Sequence, residues 1–204
     1  MLENFVILIL GALLGIGSSL AAWWITARFF QPMIEFSSEI SKRPSKSYKS
    51  GWLYRVKFKN SRKRRAIDVT VVVRVAIYEL GLERTWNWFE IPTQVDAIPA
   101  LGKNANRLVV MKPHISDRFQ ESIFPPEVRK MAKDGSLTPE DLLKLGKKSF
   151  LRVYVAAFDE FSGNRKLFLS PKYEIGDFRK GDFRHLNIVE YNRKIVSKPT
   201  SPAS

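Results

Sequence analysis

From Phe5 to Ala27 the chain reads FVILILGALLGIGSSLAAWWITA, 23 residues without a charged side chain. In a hydrocarbon layer every backbone N–H and C=O has to find its partner inside the segment, so a run of this kind has to be a helix. At 1.5 Å per residue it spans about 34 Å, enough to cross a hydrocarbon core of about 30 Å with some tilt. Residues 1–30 are therefore expected to be a transmembrane helix with a short N-terminal flank. A cleaved signal peptide is the competing reading, because Ser19, Leu20 and Ala21 resemble a small-residue cleavage site. Against it, the leader MLEN lacks a cationic region and the apolar run continues through Trp23, Trp24 and Ile25. Trp23 and Trp24 suit an interfacial belt and are candidate anchors.

The flanks suggest an orientation. The N-terminal side offers only Glu3 and the amino terminus, whereas the other side offers Arg28, Lys42, Arg43, Lys46 and Lys49. Positive charge stays inside, which puts the N-terminus outside and residues 28–204 in the cytoplasm, at the cell (inner) membrane. An exported domain is the alternative, and neither a glycosylation acceptor nor a disulfide supports it. Gly11, Gly15 and Ser19 recur every four residues and share one helix face, a candidate surface for self-association into a homo-oligomer. Small residues are also common in any span, which leaves an unpaired helix as the plain alternative.

Beyond the span the chemistry changes. The formal net charge is +14, and residues 1–30 hold only Glu3 and Arg28, so the whole excess lies in residues 31–204. Absence of cysteine removes disulfides, thiolate metal sites and cysteine nucleophiles together. Pro32 stops the helix. Residues 31–50 then read as a cationic tether, with a first short strand around Ile34, Phe36 and Ile40. In WLYRVKFKN, 52–60, Trp52, Tyr54, Val56 and Phe58 alternate with Leu53, Arg55, Lys57 and Lys59, the period of a strand with one buried and one wet, cationic face. The β-branched run AIDVTVVVRVAIYEL, 66–80, reads as a central strand.

More strands are expected at 85–91, 107–112, 150–159, 166–175 and 185–191, with a tight turn from Phe161 to Asn164. A helical insert, 116–148, interrupts them. It holds a helix from Pro126 to Lys133 and a second one opened by Thr138 as N-cap and running through LLKLGKK. Short strands with near-regular turns argue for a mainly β body, a β-sandwich over 51–196, followed by a disordered tail, 197–204.

The stretch VKFKNSRKRRAIDVTVVVRV, with its strand, Asn-Ser turn, Ala-x-Asp-Val and second strand, resembles bacterial immunoglobulin-like modules of the CARDB and fibronectin III type over roughly residues 52–79. The resemblance implies an immunoglobulin-like β-sandwich with a short helical insert. The part holding Tyr173, Ile175, Gly176 and DFRKGDFR is similar to single-pass bacterial membrane proteins, from which no activity carries over. The insert departs from the simpler modules and leaves the strand order open.

Nothing in the residues assembles a catalytic or metal site. His114 and His185 each lack a ligand at metal spacing and read as strand-edge or surface residues. LGKKS, 145–149, ends like a phosphate loop, but the position that needs the first glycine is Asp141. Asp177 and Asp182 invite an acid pair, yet the intervening FRKG has the composition of a turn. The expectation is a non-enzyme without cofactor.

The cationic tract is the remaining signal. Between Ile40 and Ile67 lie eleven Lys or Arg residues and no acid. Lys42, Arg43, Lys46, Lys49, Arg62, Lys63, Arg64 and Arg65 are the candidate membrane-surface or anion-binding residues, pictured as one surface facing lipid headgroups. Each cation close to an anionic leaflet contributes about 1 kcal/mol. A solvated loop without a specific partner is the plain alternative. Nucleic acid is not expected: no recognition helix appears, and Trp52, Tyr54 and Phe58 have the spacing of core residues. The leading expectation is a membrane-anchored interaction module whose partners are the bilayer, its anionic headgroups and a protein, with Trp86 and Trp88 either core or contact surface. The alternative is a membrane effector whose β-domain senses an anionic nucleotide and oligomerises through its helix.

Overall fold

The computed structural model describes residues 2–29, 32–81, 84–112 and 117–190. Helix α1 (Leu2–Phe29) is continuous for 28 residues. Its window Val6–Ile25 has a mean hydropathy of 2.1 and no buried share, long and apolar enough to cross a membrane.

The rest is mainly β, in two sheets. The first holds six strands: β1 (Ile34–Phe36), β2 (Ile40–Pro44), β3 (Trp52–Asn60), β7 (Asn106–Met111), β10 (Phe178–Arg184) and β11 (Asn187–Glu190). Strand β3 is its axis. It carries β7 along one edge, while β1 and β2 share the other end to end. The order continues from β2 to β10, the one parallel pairing, and then to β11. The second sheet holds β4 (Ala66–Tyr78), β5 (Trp86–Ile91), β6 (Ala97–Leu101), β8 (Lys148–Asp159) and β9 (Arg165–Leu169). Here β4 is the axis, flanked by β8 on one edge and by β5 and β6 sharing the other.

The two-residue period explains the core. Tyr54, Val56 and Phe58 of β3 meet Val69, Val71, Val73, Val75 and Ile77 of β4 and Val153, Val155 and Ala157 of β8 in a single buried cluster. Strand β4 slips register between Ile67 and Thr70, where Asp68 has φ 49°. A short acidic side chain tolerates that left-handed backbone, so the Ala-x-Asp-Val motif encodes a β-bulge.

The insert between β7 and β8 is present as a 3-10 turn (Asp117–Gln120), α2 (Pro126–Asp134) and α3 (Pro139–Leu143). Thr138 caps α3 as expected: its hydroxyl accepts from the Asp141 amide at 3.2 Å and Asp141 accepts from the Thr138 amide at 3.2 Å. The helix ends at Leu143 instead of running through Lys147. Gly146 there turns left-handed, φ 66°, against the Tyr78 carbonyl, which is the structural reason for the glycine in LGKKS.

Three expectations are corrected, and one strand appears that the sequence did not announce. The expected first strand is β1, but the rest of the segment up to residue 50 is not a tether: it forms β2 and a β2–β3 hairpin whose Ser45 amide donates to Gly51 O at 2.9 Å. AIPAL is a strand, β6, and its Pro99 is tolerated because β6 pairs only with β4. The expected strand 166–175 stops at Leu169; the chain breaks at Ser170 and Pro171 and returns to bridge Tyr173 with Leu151. The presumed turn FRKG belongs to strand β10.

That strand also changes the fate of Arg55, which belongs to the outward row of β3 but is 7% exposed. The β10–β11 hairpin lies across that row. The Arg55 guanidinium donates to Ser41 Oγ at 2.7 Å and to Gly181 O at 3.3 Å, and pairs with the Asp182 carboxylate. Gly181 is required there, because a Cβ would collide with the Val189 carbonyl. On the other side Tyr173 ties the sheets together, its hydroxyl donating to Ser37 O at 2.6 Å. Burial pushes that phenol up to about 12.

Candidate functional site

The four cations Arg62 to Arg65 occupy the turn that carries the chain from β3 in the first sheet to β4 in the second. The turn is built on Asn60, the last residue of β3 and fully buried. Its Nδ2 donates to Arg64 O at 2.5 Å, Leu101 O at 3.3 Å and Gly102 O at 3.4 Å. Its Oδ1 accepts from the Met33 and Arg62 amides, each at 3.3 Å. Only this orientation of the amide satisfies both sides, since the three carbonyls face its donor and the two amides its acceptor. Sequence reasoning passed over Asn60 as part of a turn signal.

Met33 is the link to α1. Besides its amide bond to Asn60, its carbonyl accepts from the Ser61 amide at 2.8 Å. Phe29, the end of α1, lies four residues earlier, and four residues reach at most about 14 Å when fully extended. The basic turn is therefore held close to the C-terminal end of the apolar helix. Arg65 pairs with Glu160 at 3.4 Å, both half-exposed, a contact that adds little to stability. Lys63 is exposed.

Lys42, Arg43, Lys46 and Lys49 lie elsewhere. Strand β2 pairs with β3 from Ser41 opposite Arg55 to Pro44 opposite Trp52, so these residues gather at the Trp52 end of β3. Eight steps of about 3.4 Å separate Trp52 from Asn60, roughly 27 Å. The single cationic surface expected from the sequence is thus two clusters at opposite ends of one strand. Strand pairing caused the split, and a tether would have been free to fold back.

Lys42 has a structural role. Its ammonium pairs with the Glu140 carboxylate of α3 and stands 4.6 Å from the centre of the Trp52 ring. Glu140 also accepts from the Tyr54 hydroxyl at 2.7 Å. Burial, then the neighbouring carboxylate, holds that phenol far above its ordinary range. Arg43, Lys46 and Lys49 are exposed around the β2–β3 hairpin.

The remaining candidates separate cleanly. On α1, nothing lies within 4 Å of a Cβ built on Gly11 or Gly15, and Ser19 Oγ donates to Gly15 O at 2.9 Å within the helix. Trp23 and Trp24 are exposed at 68% and 53%. Trp86 and Trp88 are not core: they lie on the outer face of β5, 39% and 45% exposed, edge-on to Phe150. Asp177 accepts from the Glu174 amide at 2.8 Å and Asp182 pairs with Arg55, so the two acids serve separate structural bonds. Among the described residues no group of three His, Cys, Asp or Glu side chains is placed to hold a metal ion. His185 turns the β10–β11 hairpin with φ 57°. His114, the first residue of the expected insert and the tail 197–204 lie outside the described residues.

No protein-family model matches the chain. No curated protein matches it either. Among solved structures it is similar to the sporulation control protein Spo0M from Bacillus subtilis, at 9% identity and a TM-score of 0.34. The match covers 71% of this chain and 49% of that one, so this chain spans about half the length of Spo0M.

Proposed function

We propose that the chain is a non-enzymatic, single-pass membrane module: α1 spans the bilayer with its N-terminus outside, and an immunoglobulin-like β-sandwich stands on the cytoplasmic face with the Arg62–Arg65 turn on anionic headgroups. The observation that carries the reading is the bonding of Met33 to Asn60 and Ser61, which keeps four consecutive cations next to the end of the apolar helix. At about 1 kcal/mol per cation near an anionic leaflet, such a turn fixes how the body stands on the membrane and which faces it offers to a partner. The outer face of β5, with Trp86 and Trp88, is the face offered.

Co-sedimentation of residues 32–204 with vesicles containing phosphatidylglycerol tests it. Changing Arg62, Lys63, Arg64 and Arg65 together to Ser removes binding, whereas Lys46→Ser with Lys49→Ser, at the other end of β3, leaves most of it. Equal binding by both variants sinks the assignment of the turn. Protease added outside intact cells tests the orientation, and digestion of the body there refutes it.

A second reading, a membrane effector that senses an anionic nucleotide, has one observation in its favour. A polar cavity of about 210 Å³ under the β10–β11 turn is lined by Lys57, Lys59, Asn104, Asn106, His185 and Leu186. Thermal shift against a panel of cyclic nucleotides discriminates the two, since a ligand at 100 times its dissociation constant adds about 2.7 kcal/mol of stability. A flat panel rejects the sensor.

A further inference from the structure

The hairpin between β8 and β9 ends in Glu160-Phe161-Ser162-Gly163-Asn164. Phe161 is 72% exposed, the most exposed large apolar side chain among the described residues outside α1. A lone exposed aromatic is ordinary on a water-facing surface. Three features set this one apart.

The tip is rigid. The Asp159 amide donates to Asn164 O at 3.0 Å, and the Gly163 amide donates to Asp159 O at 2.9 Å with Gly163 at φ 66°. The Ser162 amide and hydroxyl both donate to the Asp159 carboxylate, at 3.0 and 2.6 Å. A turn locked this way holds its aromatic ring out in water, where a polar residue would cost nothing. The tip is also bound to the basic turn: the Glu160 amide donates to Arg65 O at 3.3 Å beside the Arg65–Glu160 ion pair. Finally, the Arg64 guanidinium lies 4.2 Å from the centre of the Phe161 ring. A guanidinium can cover an aromatic face and still turn its N–H edge to a phosphate, so the pair joins an apolar wedge to a headgroup ligand.

We propose that Phe161 and Arg64 form a second membrane contact, with the ring entering the headgroup layer of an anionic bilayer while Arg64 holds a lipid phosphate. The inference rests on the membrane-anchored reading above. Met33, four residues beyond α1, is bonded to the basic turn and the basic turn to the hairpin tip, which keeps the tip within reach of a lipid surface that receives α1. The link through α1 keeps the body at the bilayer, and the tip adds an apolar contact to the basic turn, so the body is held against tilting away from the surface.

The absence of native cysteine makes the test direct. Single cysteines are placed in the full chain at Asn164→Cys beside the ring, at Leu14→Cys in α1 and at Ser47→Cys in the β2–β3 hairpin at the other end of β3. Each carries an environment-sensitive fluorophore, in vesicles of phosphatidylcholine and phosphatidylglycerol doped with nitroxide lipids. The expected result is quenching at 14 by a deep nitroxide, quenching and a blue shift at 164 by a headgroup-level nitroxide, and neither at 47. Adding Phe161→Ser to Asn164→Cys brings its signal down to the level of 47. If 14 is quenched and 164 behaves like 47, the tip stays in water: the inference is overturned and the anchor stands. If quenching at 164 survives Phe161→Ser, the ring does not insert and the inference is again overturned. An unquenched label at 14 removes the anchor and the inference together.

Discussion

Replacing Asn60 by Ala removes a side chain that joins Met33, the basic turn and the end of β6. The five bonds are unequal. The bond to Arg64 O at 2.5 Å is a full one, worth about 1–1.5 kcal/mol net, whereas the four at 3.3 to 3.4 Å are long and contribute about 0.5 kcal/mol each. Their sum is about 3 kcal/mol. Arg62 and Arg64 are only partly buried, so water recovers some of their backbone groups, and the expected loss is about 2–3 kcal/mol. Urea denaturation of the detergent-solubilised chain, followed by circular dichroism of the β body, measures the loss. Hydrogen exchange locates it, with the Met33 and Arg62 amides losing protection before those of β4. A loss below about 1 kcal/mol with both amides still protected refutes the view of Asn60 as the residue that holds the turn to the start of β1.

Asp182→Ala leaves the Arg55 guanidinium under the β10–β11 hairpin without its carboxylate. Because Asp182 is itself 48% exposed, the expected cost is about 1–3 kcal/mol, below that of a fully buried pair, read by the same denaturation curve. Gly181→Ala drives a methyl into the Val189 carbonyl and opens that hairpin, costing more than about 2 kcal/mol, whereas Gly102→Ala, with open space around it, stays within about 0.5 kcal/mol. Alkaline pH destabilises the body in a defined window. An unfolded tyrosine ionises near pH 10, while burial holds Tyr54 above its usual range and Tyr173 at about 12, so the unfolded chain alone loses these protons as pH rises past about 10. Stability is fully present below that pH and falls by about 1.4 kcal/mol per pH unit for each phenol; Tyr173→Phe flattens the slope up to its folded value, and an unchanged slope refutes the assignment.

How far the fold was legible depended on whether a residue's role was local. The alternation of β3, the valines of β4, the Phe161–Asn164 turn and the Thr138 cap are set by neighbours two to four places away, and all appear in the structure. Strands β2 and β10 were missed because ISKRP and FRKGDFR are too polar to announce burial. They are strands because each is paired on both edges, β2 between β3 and β10 and β10 between β2 and β11, and the pairing of Ile40 with Phe178 is one that no local pattern records. Arg55 reads as wet until the hairpin that covers it is known. In the candidate site, the cationic tract was evident, but its division into two ends and its dependence on Asn60 were not, because both follow from which strands pair with β3.

The parallel pairing of β2 with β10 also sets an order on synthesis. Ile40 to Lys42 emerge early, directly behind the apolar helix, yet their edge stays open until Phe178 to Lys180 have left the ribosome. Ser41, whose hydroxyl donates to Gly181 O at 2.6 Å, waits as long. A nascent chain would hold an unfinished sheet for most of its translation, so truncation before β10 leaves β2 as an unprotected template for other strands.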